Sequence, residues 1–178
     1  GDYVVATGFL RKDHVLDEVL PTTIPVVPTA RLNRLLIEEL EARGSEFRMG
    51  TVYTTADRNW ELNQQQPLAD MRTARCVAVD MESATVAANG FRYRIPNATL
   101  LCVSDKPMHA APKLAGAAAE FYSRSKQIHL DIALATLDRI RADAQSSDEE
   151  SFDYYLDGDY VVLTRVDQLE TVRAEAEQ

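Results

Sequence analysis

A chain of 178 residues with 46% hydrophobic content is long enough to bury the core of one ordinary domain, which excludes wholesale disorder. Its formal net charge of -9 argues against nucleic acid as a partner, because a phosphate backbone is bound by clustered positive charge. No apolar run approaches the ~20 residues of a membrane helix, and GDYVVATGFL lacks a basic leader, so no membrane association and a cytoplasmic location are expected.

In chain order, Asp2 to Leu10 is rich in Val, Tyr, Thr and Phe and reads as a strand, followed by an extended proline-rich loop, PTTIPVVP. Thr29 is an expected N-cap. Leu32, Leu35, Leu36 and Leu40 then fall at helical spacing between Ala30 and Arg43, with Gly44 as the stop. A second strand is expected over about Phe47–Thr55, then a polar stretch from Asp57 to Gln66 interrupted by Pro67. The apolar strand CVAVD leads into a small-residue helix, MESATVAANGF, and Ile95-Pro96 turns the chain into the strand ATLLCVS. After a loop with Pro107 and Pro112, residues Ala117 to Ala142 read as a long helix whose apolar face includes Phe121, Ile128, Ile132, Leu134, Leu137 and Ile140. Such alternation predicts an α/β sheet flanked by helices, with the site in loops at strand C-termini.

Charge marks the boundary of this region. Residues 1–142 carry 17 acidic and 17 basic side chains, whereas 143–178 carry 11 acidic ones against Arg165 and Arg173. The segment AQSSDEES reads as a solvated linker between a 1–142 α/β region and a small acidic appendage, 143–178. That appendage is expected to hold a hairpin turning at Asp157-Gly158 and a helix capped by Thr164. The pentapeptide GDYVV occurs at 1–5 and 158–162, and it is read as a coincidence of strand beginnings.

Several residues could carry chemistry. Asp105 sits just past an apolar strand and ahead of Lys106 and Pro107, where a carboxylate can reach a ligand or cap the following loop. Glu82 opens a helix, where a negative side chain is favourable for structural reasons alone, and Asp80 can serve as a helix cap. Trp60, the single tryptophan, can stack on a flat base or anchor the core. Arg58 can meet a phosphate through its planar fork or form a surface ion pair. Lys106, His109 and Lys113 make the loop after Asp105 locally basic. Cys76 and Cys102 lie in apolar strand-like runs, as small buried thiols do, and His14 and His129 have no ligand spacing, so no metal is expected. Walker, GxGxxG, CxxC and GxSxG motifs are absent from the sequence.

The pair VAVDMESATVAANGF and LLCVSDKP resembles signature segments of the nucleoside phosphorylase superfamily. Together with TTADRNWEL, GFRYRIPNATLLCVSDKP and GDYVVATGFLRKDHVLDEVLP, it is similar to AMP nucleosidases, over roughly residues 1–142. The resemblance implies hydrolysis of AMP to adenine and ribose 5-phosphate. It makes Asp105 the general acid that protonates the purine, Glu82 the ligand of the ribose 2′,3′-diol, and Met81 and Trp60 the walls of the pocket. Arg58 is then a phosphate contact. The expected ligand is a small purine nucleotide, with no cofactor. Strands and glycine-rich loops that precede GDYV in the family have no counterpart, so a sheet lacking its N-terminal half is expected, with exposed edges that favour a homo-oligomer. The alternatives are a phosphorylase or nucleosidase acting on unphosphorylated nucleosides, and a non-catalytic adenine-nucleotide-binding or assembly module.

Overall fold

The computed structural model describes residues 3–104, 115–146, 152–157 and 160–165, with side chains described for 3–104 and 125–142. The chain divides into two compact units, residues 1–136 and 137–178. In the first, β1 (Tyr3–Lys12) pairs in parallel with β2 (Phe47–Thr55), and β2 in parallel with β3 (Cys76–Asp80). A short β4 (Leu100–Cys102) joins the other side of β1, so the order is β3-β2-β1-β4. The expected α/β sheet is therefore present, but it is mixed. β4 runs antiparallel, with Leu100 opposite Val5 and Cys102 opposite Tyr3.

Val4, Val5 and Ala6 are all buried, so β1 is covered on both faces and lacks the alternation of a half-exposed strand. On one face, Val5 packs with Leu36 and Leu40 of α1 (Ala30–Ala42) and Ile132 of α4 (Ala115–Ser146). On the other, Val4 and Ala6 pack with Val52. α3 (Ser83–Arg92) presents Ala87 and Ala88 to Leu20 and Val26, where two small side chains let the irregular 13–29 connection lie close. Arg11, almost fully buried, pins that connection by donating to the carbonyls of Leu20 (2.7 Å) and Pro21 (3.4 Å), with Asp17 at 3.7 Å.

Four local expectations are corrected. Thr29 occupies the N-cap position of α1 but makes no capping bond, because its hydroxyl accepts from the Asn97 amide and ties down the α3–β4 connection. The polar stretch folds as a 3-10 turn, Trp60–Asn63, and then α2 (Gln65–Thr73). Pro67 is accommodated in the first turn of α2, where a missing N–H costs no hydrogen bond. The stripe that α4 buries runs through Ser125, His129, Ile132 and Thr136, at helical spacing; of the expected apolar face Ile132 is buried and Ile140 half-buried, Ile128, Leu134 and Leu137 are exposed, and the side chain of Phe121 lies outside those described. In the second unit, β5 (Phe152–Asp157) and β6 (Tyr160–Arg165) form the expected hairpin, with Asp157 opposite Tyr160. Thr164 pairs with Asp153 inside β6, since the run of β-branched and aromatic residues from Tyr160 extends the strand through it, and the helix expected after it lies outside the described residues. Both copies of GDYVV lead into strands, β1 and β6.

His129 lies against Tyr3, with ring centroids 5.7 Å apart, and burial holds its pKa below the usual histidine value. The unfolded chain therefore binds this proton more readily. The contribution of His129 to stability is complete above about pH 6.5 and is lost as pH falls through the lowered folded value. The thermal midpoint of the wild type is expected to fall more steeply than that of His129→Gln between about pH 7 and about pH 5, and parallel curves would refute the assignment.

Candidate active site

Because β1, β2 and β3 are parallel, their C-terminal ends, Lys12, Thr55 and Asp80, share one edge of the sheet. At the end of β3, Asp80 Oδ1 accepts a hydrogen bond from Thr54 Oγ1 (2.6 Å) and Oδ2 accepts from the Ser83 amide (2.9 Å). The Ala84 amide donates to Thr54 Oγ1 at 3.2 Å, and the Ser83 hydroxyl lies 3.3 Å from the same oxygen. Asp80 thus performs the capping that its position allowed. Between Asp80 and Ser83 stand Met81, half-buried, and Glu82, exposed. Glu82 occupies the N-cap position of α3, yet its side chain makes no capping bond.

At the end of β2 the chain turns on its own hydrogen bonds. The Asp57 amide donates to Thr55 Oγ1 (3.1 Å) and the Asn59 amide to Asp57 Oδ1 (2.8 Å). This turn presents Arg58 at the surface, where it forms no ion pair among the described residues. Trp60 follows in the 3-10 turn and is buried, at 8% exposure, so most of its ring is committed to packing. At the end of β1, Lys12 Nζ lies 3.0 Å from Asp70 Oδ2 on α2, and hydrogen bonds from Lys12 and Gln66 hold the Asp70 carboxyl below its ordinary pKa. The next residue, Asp13, is buried and accepts a hydrogen bond from Thr85 of α3.

The structure thus brings Arg58, Trp60, Met81 and Glu82 to the ends of two adjacent strands. Asp105, Lys106, His109 and Lys113 lie outside the described residues. β4 carries the chain towards Asp105 in the direction opposite to β1–β3, so Ser104 lies past the end of the sheet at which β1 begins. Sequence reasoning missed Thr54, Ser83, Asp13 and Thr85. The residues joined by these bonds are 26 to 72 positions apart, and hydroxyls in strands and helices carry no motif that announces a long-range partner. His14 is held in the loop by Asp17 Oδ2, at 2.7 Å from Nδ1. Cys76 and Cys102 form no disulfide and are half-buried, and burial raises the Cys76 thiol pKa. Among the described residues, no three His, Cys, Asp or Glu side chains cluster as metal ligands, and no helix is long and apolar enough to cross a membrane.

A broad open cleft of about 560 Å³ lies elsewhere, between α1 and the strands, lined by Thr7, Asn33, Arg34, Ile37, Glu38 and Met49 among others. None of the described candidate residues lines it. Placement at strand ends and chemistry, rather than concavity, therefore locate the candidate site.

A model of the phosphorylase superfamily matches residues 1–138. AMP nucleosidase of Escherichia coli (strain K12) is 47% identical in the shared region, which covers 80% of this chain and 31% of that protein. The chain thus spans about a third of the length of the curated relatives it matches. The crystal structure of AMP nucleosidase from Bacteroides thetaiotaomicron superposes with a TM-score of 0.64 at 30% identity, covering 79% of this chain and 56% of that one. The 5′-methylthioadenosine/S-adenosyl homocysteine nucleosidase of Campylobacter jejuni gives 0.65 at 21% identity, with coverages of 78% and 62%, a likeness of fold.

Proposed function

We propose that this chain, which belongs to the phosphorylase superfamily, supplies the ribose side and the leaving-base side of a site that hydrolyses AMP to adenine and ribose 5-phosphate. The carrying observation is the exposed Glu82 at the end of β3, on a turn locked by Asp80 and Thr54 and with no capping bond of its own. A carboxylate so placed accepts hydrogen bonds from two adjacent hydroxyls, which matches the cis diol of a ribose. Met81 packs beside the sugar, Trp60 contributes an aromatic edge to the base pocket, and Arg58 meets the 5′-phosphate. The guanidinium of Arg58, exposed and without an ion pair among the described residues, favours the nucleotide over an unphosphorylated nucleoside. AMP is also the substrate in the name of the 47%-identical relative.

In the reaction the C1′–N9 bond breaks as positive charge develops on the sugar, and water supplies the oxygen that bonds to C1′. The departing purine takes a proton at N7 from Asp105, so that it leaves as a neutral base. Water then returns a proton to the acid. The chain is proposed to act as a cytoplasmic homo-oligomer. Two cysteines that form no disulfide fit a reducing compartment, and the exposed Ile128, Leu130 and Leu134 fit contact with a second copy.

Titration calorimetry of Glu82→Gln against AMP and 2′-deoxy-AMP tests the ribose role. AMP affinity is expected to fall about tenfold or more, towards that of the deoxynucleotide, which itself changes little. Unchanged AMP affinity in the variant would refute it.

A further inference from the structure

All three parallel strands end by gripping the first turn of α3. From β1, Asp13 accepts a hydrogen bond from Thr85; from β2, Thr54 reaches Ser83 and Ala84; from β3, Asp80 accepts from the Ser83 amide. Thr54 is the hub of this grip. It is fully buried, and a hydroxyl has one proton to give and two lone pairs to offer. The proton goes to Asp80 Oδ1 at 2.6 Å, and the lone pairs receive the Ala84 amide at 3.2 Å and the Ser83 hydroxyl at 3.3 Å, so its capacity is used up.

The consequence concerns Glu82. The first amides of a helix lack partners within it, and an acidic side chain at the N-cap ordinarily turns back to serve them. Here the Ser83 amide is served by Asp80 and the Ala84 amide by Thr54, and Glu82 makes no capping bond although it stands at the N-cap. The geometry points to Thr54 as a positioning residue that determines sugar specificity. By satisfying the helix amides from the strand side, it leaves the Glu82 carboxylate free of capping and able to receive the 2′,3′-diol. This rests on the assignment of Glu82 to ribose. Without the Thr54 hydroxyl, the Ala84 amide and one Asp80 oxygen lose their partner, and Glu82 is drawn into capping.

The test compares the full 178-residue chain with Thr54→Val, which keeps the side-chain shape and removes the hydroxyl, and Thr54→Ser, which restores it. Calorimetry gives the ratio of AMP to 2′-deoxy-AMP affinity. The wild type and Thr54→Ser are expected to prefer AMP, and Thr54→Val to lose about tenfold of that preference with its deoxynucleotide affinity unchanged. An unchanged ratio, or equal weakening of both ligands, overturns the proposal. If Thr54→Val does not fold, Asp80→Asn is read by the same ratio with the same outcomes. Amide exchange at Ser83 and Ala84 separates the two levels of inference. Should the wild type bind neither nucleotide, the ribose assignment fails, and faster exchange in Thr54→Val than in Thr54→Ser would still establish the clamp, whereas equal exchange would remove that as well.

Discussion

Asp105→Asn is expected to lower AMP hydrolysis by about 10²–10⁴-fold while leaving AMP affinity within a few-fold. The reason is the leaving group. An adenine anion departs poorly, whereas a base protonated at N7 departs neutral, and a carboxylic acid supplies that proton only in its protonated form. The ordinary aspartate pKa of about 3.9 must therefore be raised when ligand is bound, by exclusion of water or by nearby negative charge. The matching pH profile is a loss of turnover with rising pH as this carboxyl ionises, absent from the residual activity of the variant. The direction of β4 is the observation that stands against a shared site, because Asp80 and Glu82 stand at the end of the sheet opposite to the one where the chain leaves β4, and the variant therefore decides whether Asp105 serves the nucleotide that Glu82 holds. A variant within a few-fold of wild type would assign protonation of the base to another group.

Leu40→Ala is expected to cost about 2–5 kcal/mol of unfolding free energy, a large share of the roughly 5–15 kcal/mol that holds a typical domain folded. Leu40 is fully buried and packs with Val5, Leu36 and Ile132, so its removal opens a cavity where α1, α4 and the sheet meet. Leu62→Ala is the control. Leu62 is 87% exposed, and its truncation is expected to stay within about 0.5 kcal/mol. Chemical denaturation of the two variants checks both values, and a Leu40 cost under about 1 kcal/mol would contradict the core described above.

The sequence made some elements legible because one local signal sufficed for each. β2 and β3 follow from apolar or β-branched runs with clear ends, and α1 from leucines at helical spacing that stop at Gly44, which has the positive φ of 63° such a stop requires. Direction was not legible for β4, since the three residues Leu100–Cys102 pair equally well either way and only the path from α3 decides. α2 was hidden by Pro67, read as a break although the first helical turn tolerates it. The buried stripe of α4 was misjudged because it includes His129 and Thr136, whereas hydrophobicity pointed to Ile128, Leu134 and Leu137. In the candidate site, the signature segments fixed which residues to watch at the ends of β2 and β3. The support beneath them, Thr54 to Asp80 and Thr85 to Asp13, depends on side chains that only the fold brings together.

Adenine release from AMP by the purified 178-residue chain, with adenosine plus phosphate as the parallel substrate, tests the proposed chemistry most directly. Equal amounts of adenine and ribose 5-phosphate are expected from AMP in water alone, with no adenine from adenosine and phosphate. Release from adenosine accompanied by ribose 1-phosphate, or no release by a folded chain that binds AMP, would contradict AMP hydrolysis by this protein.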